Sequence, residues 1–156
     1  MKDWMKAGIA GAMLASAGAV HADTGREAAQ LEGLRQLEVK LESKYQQCMK
    51  TARGTNATEH CMALKWKGAD DAVKAAYQAK LTHAQEYVKI KGANESAEVP
   101  AMLERSQGLW EQYAEAECNG LYEQSIGGTI RGTVAAECRY RMAIQRLVAL
   151  DEWWAS

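Results

Sequence analysis

The stretch CNGLYEQSIGGTIRGTVAAEC, residues 118–138, begins and ends on cysteine, and Gly128 lies ten residues from each end. Good helix formers flank the segment SIGGT, whose two glycines interrupt them. We therefore expect two antiparallel helices joined by a short turn. Each helix rises about 1.5 Å per residue, so residues equally far from the turn lie at the same height. Cys118 and Cys138 are then placed to face each other.

The same geometry recurs upstream, where Cys48 and Cys61 are spaced evenly about the break at Gly54 and Thr55. This comparison of heights, which we call level matching, favours pairing Cys48 with Cys61 and Cys118 with Cys138. Four cysteines nevertheless permit three pairings. The alternative, four buried free thiols, is disfavoured in an oxidising compartment. Each disulfide would stabilise the fold by about 3 kcal/mol in the chain-entropy model.

The rest of the chain predicts an all-α fold, a small antiparallel bundle of about four helices built from two disulfide-stapled hairpins. The sequence has one proline and no phenylalanine, and strong helix formers are abundant. The first helix should cover about 25–52, and the second should extend to Ile90. Pro100 suits the first turn of the third helix, and Thr129 is the expected cap of the fourth.

Two capping signals and the apolar periodicity add detail to this prediction. Thr24 followed by Glu27 resembles a capping box, and Asn56 followed by Glu59 is expected to cap the second helix. Apolar residues at spacings of three and four are expected to face the core. They include Leu31, Leu41, Leu64, Val73, Trp110, Tyr113, Ile130 and Leu150.

Residues 1–22 have the pattern of a secretory signal peptide. Lys2 and Lys6 precede the small apolar run AGIAGAMLASAGAV, and Val-His-Ala ends at a cleavage site after Ala22. A membrane anchor is the alternative, but the run is shorter than the roughly 20 residues that a bilayer requires. We expect a mature periplasmic or secreted protein, with a helical extension at 23–44 and the main domain at 45–156.

The charge balance argues against a nucleic-acid partner. The formal net charge is −1, and removal of Lys2, Asp3 and Lys6 with the leader makes it −2. Nucleic-acid-binding domains are usually basic.

A set of residues in the second half of the chain follows the pattern Q-x-x-W-x-x-Y, E-C, G-G-T, C, R and L, with an aspartate and a tyrosine upstream. Besides the four cysteines, its members are Asp70, Tyr77, Gln107, Trp110, Tyr113, Glu117, Gly127, Gly128, Thr129, Arg146 and Leu150. Over about residues 45–152 the chain resembles the lysozyme-inhibitor LprI-like family of small exported bacterial helical domains. The resemblance implies an envelope protein, and lysozyme inhibition is reported for some relatives. The chain departs from the pattern at Lys74, Ala114 and Ala143.

The residues that could carry chemistry do not form a catalytic or metal-binding motif. After cleavage His60 and His83 are the only histidines, and no C-x-x-C spacing occurs, so we expect no metal and no cofactor. Glu111, Glu115 and Glu117 could supply the carboxyl pair of a glycosidase. Helical glutamates more often form a solvated face, so we expect a protein that is not an enzyme.

Glu117 and Arg146 suggest a link between the third and fourth helices. If these helices pack as a hairpin, an ion pair between the two side chains could lock them together. The alternative is two separate solvated charges, since exposed pairs contribute at most about 1 kcal/mol.

Four residues are candidates for contact with a protein partner. Glu95 and Glu98 lie in the loop KGANESAE, where acidic side chains would steer a basic lysozyme. Trp153 and Trp154 are adjacent, so at most one is expected to be fully buried. The leading hypothesis is steric occlusion of a lysozyme or other peptidoglycan hydrolase. The alternatives are an immunity or accessory protein against a bacterial wall-degrading toxin, and an envelope structural or stress factor without a hydrolase target.

Overall fold

The computed structural model describes residues 17–90 and 96–153, and within these ranges it consists of four α-helices without strands. The helices are α1 (Ala17–Met49), α2 (Thr55–Tyr87), α3 (Val99–Gln124) and α4 (Arg131–Asp151). No helix among these residues is both long enough and apolar enough to span a membrane.

Both predicted disulfides are present. Cys48 is bonded to Cys61 with their Cα atoms 5.6 Å apart, and Cys118 is bonded to Cys138 with a Cα separation of 5.5 Å. The prediction of an all-α bundle built from two stapled hairpins is confirmed.

The first helix begins earlier than the sequence indicated. It begins at Ala17, so Thr24 and Glu27 lie inside α1 and the expected start at 25 is wrong. Residues 17–23 contain alanine and no proline, so the helix can continue through them. Residues 1–16 of the expected signal peptide lie outside the described part of the chain.

Two of the predicted caps are wrong because tight turns, not capping side chains, set these helix ends. Gly54 is the N-cap of α2, at φ +80°, a left-handed conformation that glycine adopts without a steric penalty. Asn56 therefore lies inside the helix. Ile130 is the N-cap of α4, one residue after Thr129, and makes no side-chain cap bond.

Of the two remaining predictions about helix ends, the position of Pro100 is confirmed and the end of α2 is wrong. Pro100 stands in the first turn of α3, as expected. Helix α2 ends at Tyr87 rather than Ile90. The amides of Lys89 and Ile90 bond to carbonyls three residues back, those of Glu86 (3.2 Å) and Tyr87 (3.0 Å), which tightens the last turn.

Helices α2 and α4 run parallel and share the largest interface of the bundle. Their register follows from three pairs of residues. Glu59 contacts Gly132, Lys65 lies 4.4 Å from the ring centroid of Tyr140, and Lys80 Nζ donates to the carbonyl of Trp153 at 2.8 Å. Alanines let the two helices approach closely. Those that are buried are Ala69, Ala84, Ala135, Ala136 and Ala143.

Larger apolar side chains complete the core on both sides of this interface. Leu41, Val73, Leu81, Leu103 and Leu150 form its main cluster. A second cluster surrounds the disulfide between α3 and α4 and includes Ala114 and Met142.

Besides Tyr113, which is described with the site below, three residues that were expected to face the core are exposed instead. Leu31, Leu64 and Ile130 have exposed fractions of 60%, 50% and 56%. Leu64 illustrates the cause, because it lies about 140° around α2 from the buried Ala69. Apolar spacing alone therefore did not identify the buried side.

Removal of either disulfide should lower the free energy of unfolding. The closed loops span 13 and 20 residues, so replacing Cys48 and Cys61, or Cys118 and Cys138, by alanine should cost about 3 kcal/mol each. Urea unfolding of the two double variants measures the losses. A loss well below 1 kcal/mol in either would show that packing alone constrains that hairpin.

Two glycine substitutions should have opposite effects on stability. A Cβ atom at Gly68 would collide with the side chain of Leu41, which is 4% exposed, whereas Gly108 has no neighbouring atom within 4 Å of that position. Gly68→Ala should cost about 1–2 kcal/mol by overpacking. Gly108→Ala should gain up to about 1 kcal/mol in helix propensity. Thermal unfolding compares the two variants, and equal effects would mean that Leu41 repacks freely.

Candidate functional site

Several motif residues converge where α3 packs against α4. Arg146 of α4 is 6% exposed, and its Nε donates to Gln107 Oε1 at 3.0 Å. Its Nη1 donates to Ser106 Oγ at 3.2 Å, and its guanidinium lies 5.9 Å from the ring centroid of Trp110. The guanidinium therefore contacts three residues of α3, at positions 106, 107 and 110, and ties the two helices together.

Gln107 extends this network towards the surface. Its side-chain nitrogen donates to Glu111 Oε1 at 3.0 Å while its oxygen accepts from Arg146, which fixes the orientation of the amide. Burial lowers the pKa of Arg146, and the Glu111 carboxylate opposes that shift. An arginine nevertheless remains charged. Burial also raises the pKa of Tyr77, which adjoins the same charges.

The cluster contains two donors without acceptors among the described residues, Trp110 Nε1 and Arg146 Nη2. Asp70 does not neutralise the guanidinium, because its carboxylate pairs with Lys74 Nζ at 2.6 Å on the surface of α2. A buried guanidinium that is paired only with neutral groups contributes little net stability. Its hydrogen bonds, however, form only when α3 and α4 pack in one particular register. We interpret Gln107, Trp110 and Arg146 as residues that set how the helices pack.

Other motif residues lie outside this cluster. Leu150 is buried at 1% exposure, as expected for a core residue. Tyr113 was expected in the core but is 58% exposed. The buried side of α3 carries Gln107, Ala114 and Cys118, and Tyr113 lies about 120° around the helix from Gln107.

The structure contains neither the possible ion pair between Glu117 and Arg146 nor the alternative of two solvated charges. Glu117 is exposed, whereas Arg146 is buried and bonded to Gln107. The reason is their height along the hairpin. Glu117 lies eleven residues before Gly128 and Arg146 eighteen after it. A difference of seven residues corresponds to about 10 Å along the helix axis. Near the height of Glu117 the two helices are joined by the disulfide between Cys118 and Cys138 and by a 2.7 Å hydrogen bond from Arg139 Nη2 to Asn119 Oδ1.

The remaining motif residues form the exposed turn between α3 and α4. Gly127, Gly128 and Thr129 are all exposed, and the amide of Gly128 bonds to the carbonyl of Ser125 at 2.8 Å. Two isoleucines flank them, with Ile126 64% and Ile130 56% exposed. Neither isoleucine was predicted to be a contact residue, and Ile130 was expected in the core.

The structure places two of the four predicted contact residues. Glu98 is exposed next to the start of α3, whereas Trp153 is partly buried against the core. Glu95 and Trp154 lie outside the described residues.

A surface groove of about 700 Å³ lies beside α1, at residues that the sequence analysis missed. Its lining residues are Arg35, Glu38, Val39, Glu42, Ser43, Gln46, Lys65 and Tyr140. Lys65 pairs with Glu42 at 2.5 Å and also lies 4.4 Å from the ring centroid of Tyr140. A hydrogen bond from Gln46 and the bond from Lys65 lower the pKa of Glu42. These contacts attach α1 to α2 and α4.

The groups considered for catalysis or metal binding are dispersed. Glu111 accepts a hydrogen bond from Gln107, and Glu115 and Glu117 are exposed on α3. All four cysteines are in disulfides. Across residues 17–90 and 96–153, no three histidine, cysteine, aspartate or glutamate side chains are grouped closely enough to hold a metal ion.

These features define a small helical-bundle protein with one disulfide in each of its two hairpins and a cluster of motif residues where α3 packs against α4. The chain belongs to the lysozyme inhibitor LprI family, whose model matches residues 48–150. The match begins at the first cysteine and ends at the buried Leu150, so most of α1 and much of the groove beside it lie outside the matched region. No curated protein and no solved structure matches the chain.

Gln107 and Arg146 should behave as one energetic unit. Arg146→Met leaves the Gln107 oxygen buried without a donor, and should cost about 1–3 kcal/mol of unfolding free energy. Adding Gln107→Leu should recover most of that loss, because both partners are then apolar. Urea unfolding of the single and double variants provides the double-mutant cycle. Strictly additive losses would contradict the packing role.

Proposed function

We propose that this protein is an exported inhibitor that binds a lysozyme or a related peptidoglycan hydrolase and blocks it sterically, without catalysing a reaction. The observation that carries the proposal is the match to the lysozyme inhibitor LprI family over residues 48–150, which include all four cysteines and helices α2 to α4 up to Leu150. Within this proposal, residues 45–156 form the inhibitory domain and residues 23–44 extend its first helix.

The mechanical properties of the bundle support inhibition by occlusion. The two disulfides restrain both hairpins, and buried hydrogen bonds of Arg146 set the packing of the second. A preorganised protein loses little conformational entropy when it binds, so more of its contact energy appears as affinity. Such a scaffold can hold a surface against an enzyme without undergoing a change of its own.

Two observations support export. Disulfides persist mainly in oxidising compartments, and the four cysteines of this chain are all paired. The sequence of residues 1–22 has the features of a cleaved signal peptide. We propose cleavage after Ala22, with the mature protein free in the periplasm or outside the cell.

The loop that holds Glu95 and Glu98, together with Trp153 and Trp154, is the first of two alternative contact surfaces. Acidic side chains there would assist encounter with a basic lysozyme. Burial of Trp153 against the core reduces the area that it can offer.

Lysis of a cell-wall suspension tests the proposal. The purified, oxidised mature protein should slow lysis by lysozyme in a dose-dependent way that saturates once the enzyme is bound. The same protein after reduction and alkylation of its cysteines is the matched control, and it should inhibit much less because the hairpins lose their cross-links.

Unchanged lysis with the oxidised protein in large molar excess over several lysozymes would overturn the proposal. Turnover of wall fragments by the protein alone, lost in Glu111→Gln or Glu117→Gln, would show an enzyme instead.

A further inference from the structure

Both disulfide-bonded turns lie at the same end of the bundle. Because α2 and α4 run parallel, with Glu59 beside Gly132, the turns that precede these helices are neighbours. We call residues 50–60 and 122–132 the stapled end. Its two turns, at 50–54 and 125–130, are each held by a disulfide within about two helical turns. The backbone that they present is therefore restrained from both sides.

The stapled end exposes apolar side chains at its tip. Ile126 and Ile130 have exposed fractions of 64% and 56%, and the three residues between them are also exposed. Apolar groups fixed on a restrained turn can be covered by a partner with little loss of conformational entropy. A turn that projects from the end of a bundle can also enter a narrow concave site.

The charge of the stapled end differs from that of the whole chain. It holds the cations Lys50, Arg53 and Arg131 against the anions Glu59 and Glu123, a balance of +1, whereas the chain carries −1. None of the three cations belongs to an ion pair within the described residues.

Two of these cations, Arg53 and Arg131, and one of the anions, Glu59, make contacts within the stapled end. Arg53 Nη1 donates to the carbonyls of Lys50 (3.3 Å) and Ala52 (2.8 Å). Arg131 lies 4.8 Å from the ring centroid of Tyr122. The Glu59 carboxyl packs against Gly132 in the first turn of α4, where the helix dipole favours a negative charge. The net effect is a tip that presents positive charge beside its isoleucines.

The chemistry of the proposed target matches this surface. An enzyme that hydrolyses glycosidic bonds generally carries a pair of carboxyl groups, one on each side of the scissile bond. Binding clefts are concave and largely apolar around a few polar groups. We propose that the stapled end inserts into the substrate cleft of the target hydrolase. Ile126 and Ile130 then cover its apolar wall, and Arg53 and Arg131 approach its carboxylates. This inference rests on the proposed function.

Other exposed apolar residues fit a cleft less well. Met102, Leu109 and Tyr113 share one side of α3, with exposed fractions of 46%, 56% and 58%. They lie along a convex helix and have no turn that projects beyond it. Leu109 and Tyr113 therefore provide matched controls for the two isoleucines.

The experiment compares inhibition constants of paired variants in the lysis assay. Ile126→Ser with Ile130→Ser should weaken inhibition at least tenfold, the loss typical of central contact residues. Leu109→Ser with Tyr113→Ser should change it less than threefold. Arg53→Glu should weaken inhibition more than Arg105→Glu, which makes the same charge change on the exposed side of α3. Circular dichroism and non-reducing peptide mapping confirm that each variant keeps its fold and both disulfides.

A soluble oligosaccharide that occupies the cleft supplies a second readout, since it should compete with binding of the wild-type protein. If the wild type inhibits and the isoleucine variant inhibits equally, the stapled end is not the contact and the inference is overturned. Loss of inhibition in Glu98→Lys or the Leu109 pair alone would also overturn it and would leave the proposed function standing. A wild-type protein that neither binds nor inhibits any hydrolase would overturn both.

Discussion

The bond between Cys118 and Cys138 fixes the height of α4 against α3, and the rest of the second hairpin depends on that register. It places Arg146 opposite Ser106, Gln107 and Trp110, where two hydrogen bonds and the indole ring surround the guanidinium. The disulfide between Cys48 and Cys61 sets α1 against α2 in the same manner. The alanine-lined contact of α2 with α4 then joins the two hairpins.

This arrangement separates two kinds of motif residue. Gln107, Trp110, Arg146 and Leu150 are wholly or partly buried and act on the packing of the bundle. Gly127, Gly128 and Thr129 are exposed and shape a turn. These two groups describe a scaffold together with one of its ends, whereas Tyr113 and Glu117 are exposed along the side of α3. An inhibitor of this design would depend on the scaffold for the rigidity of the exposed turn.

The sequence was sufficient for the helix count and the disulfide pairing, because both follow from the rise of an α-helix and the positions of turn residues. It was insufficient where the outcome depends on which side of a helix is covered. Tyr113 and Leu64 occur at the spacing of core residues, but the neighbouring helices cover other faces. The Lys65 contacts with Glu42 and Tyr140 gave no signal in the sequence, since they join three helices and a lysine on a helix usually indicates a solvated face. Glu117 could have been separated from Arg146 by the same level matching that paired the cysteines.

Both disulfides lie at one end of the bundle, so the two ends of the molecule differ in how firmly they are restrained. Opening fluctuations cost least where a helix terminus lacks covalent restraint, which here is the end that holds Tyr87 and Val99. Amide protons should therefore exchange fastest near those residues and progressively more slowly towards the cysteines. A protease would find susceptible backbone at the unrestrained end first. The paired turns would remain folded while the far ends of the helices fray.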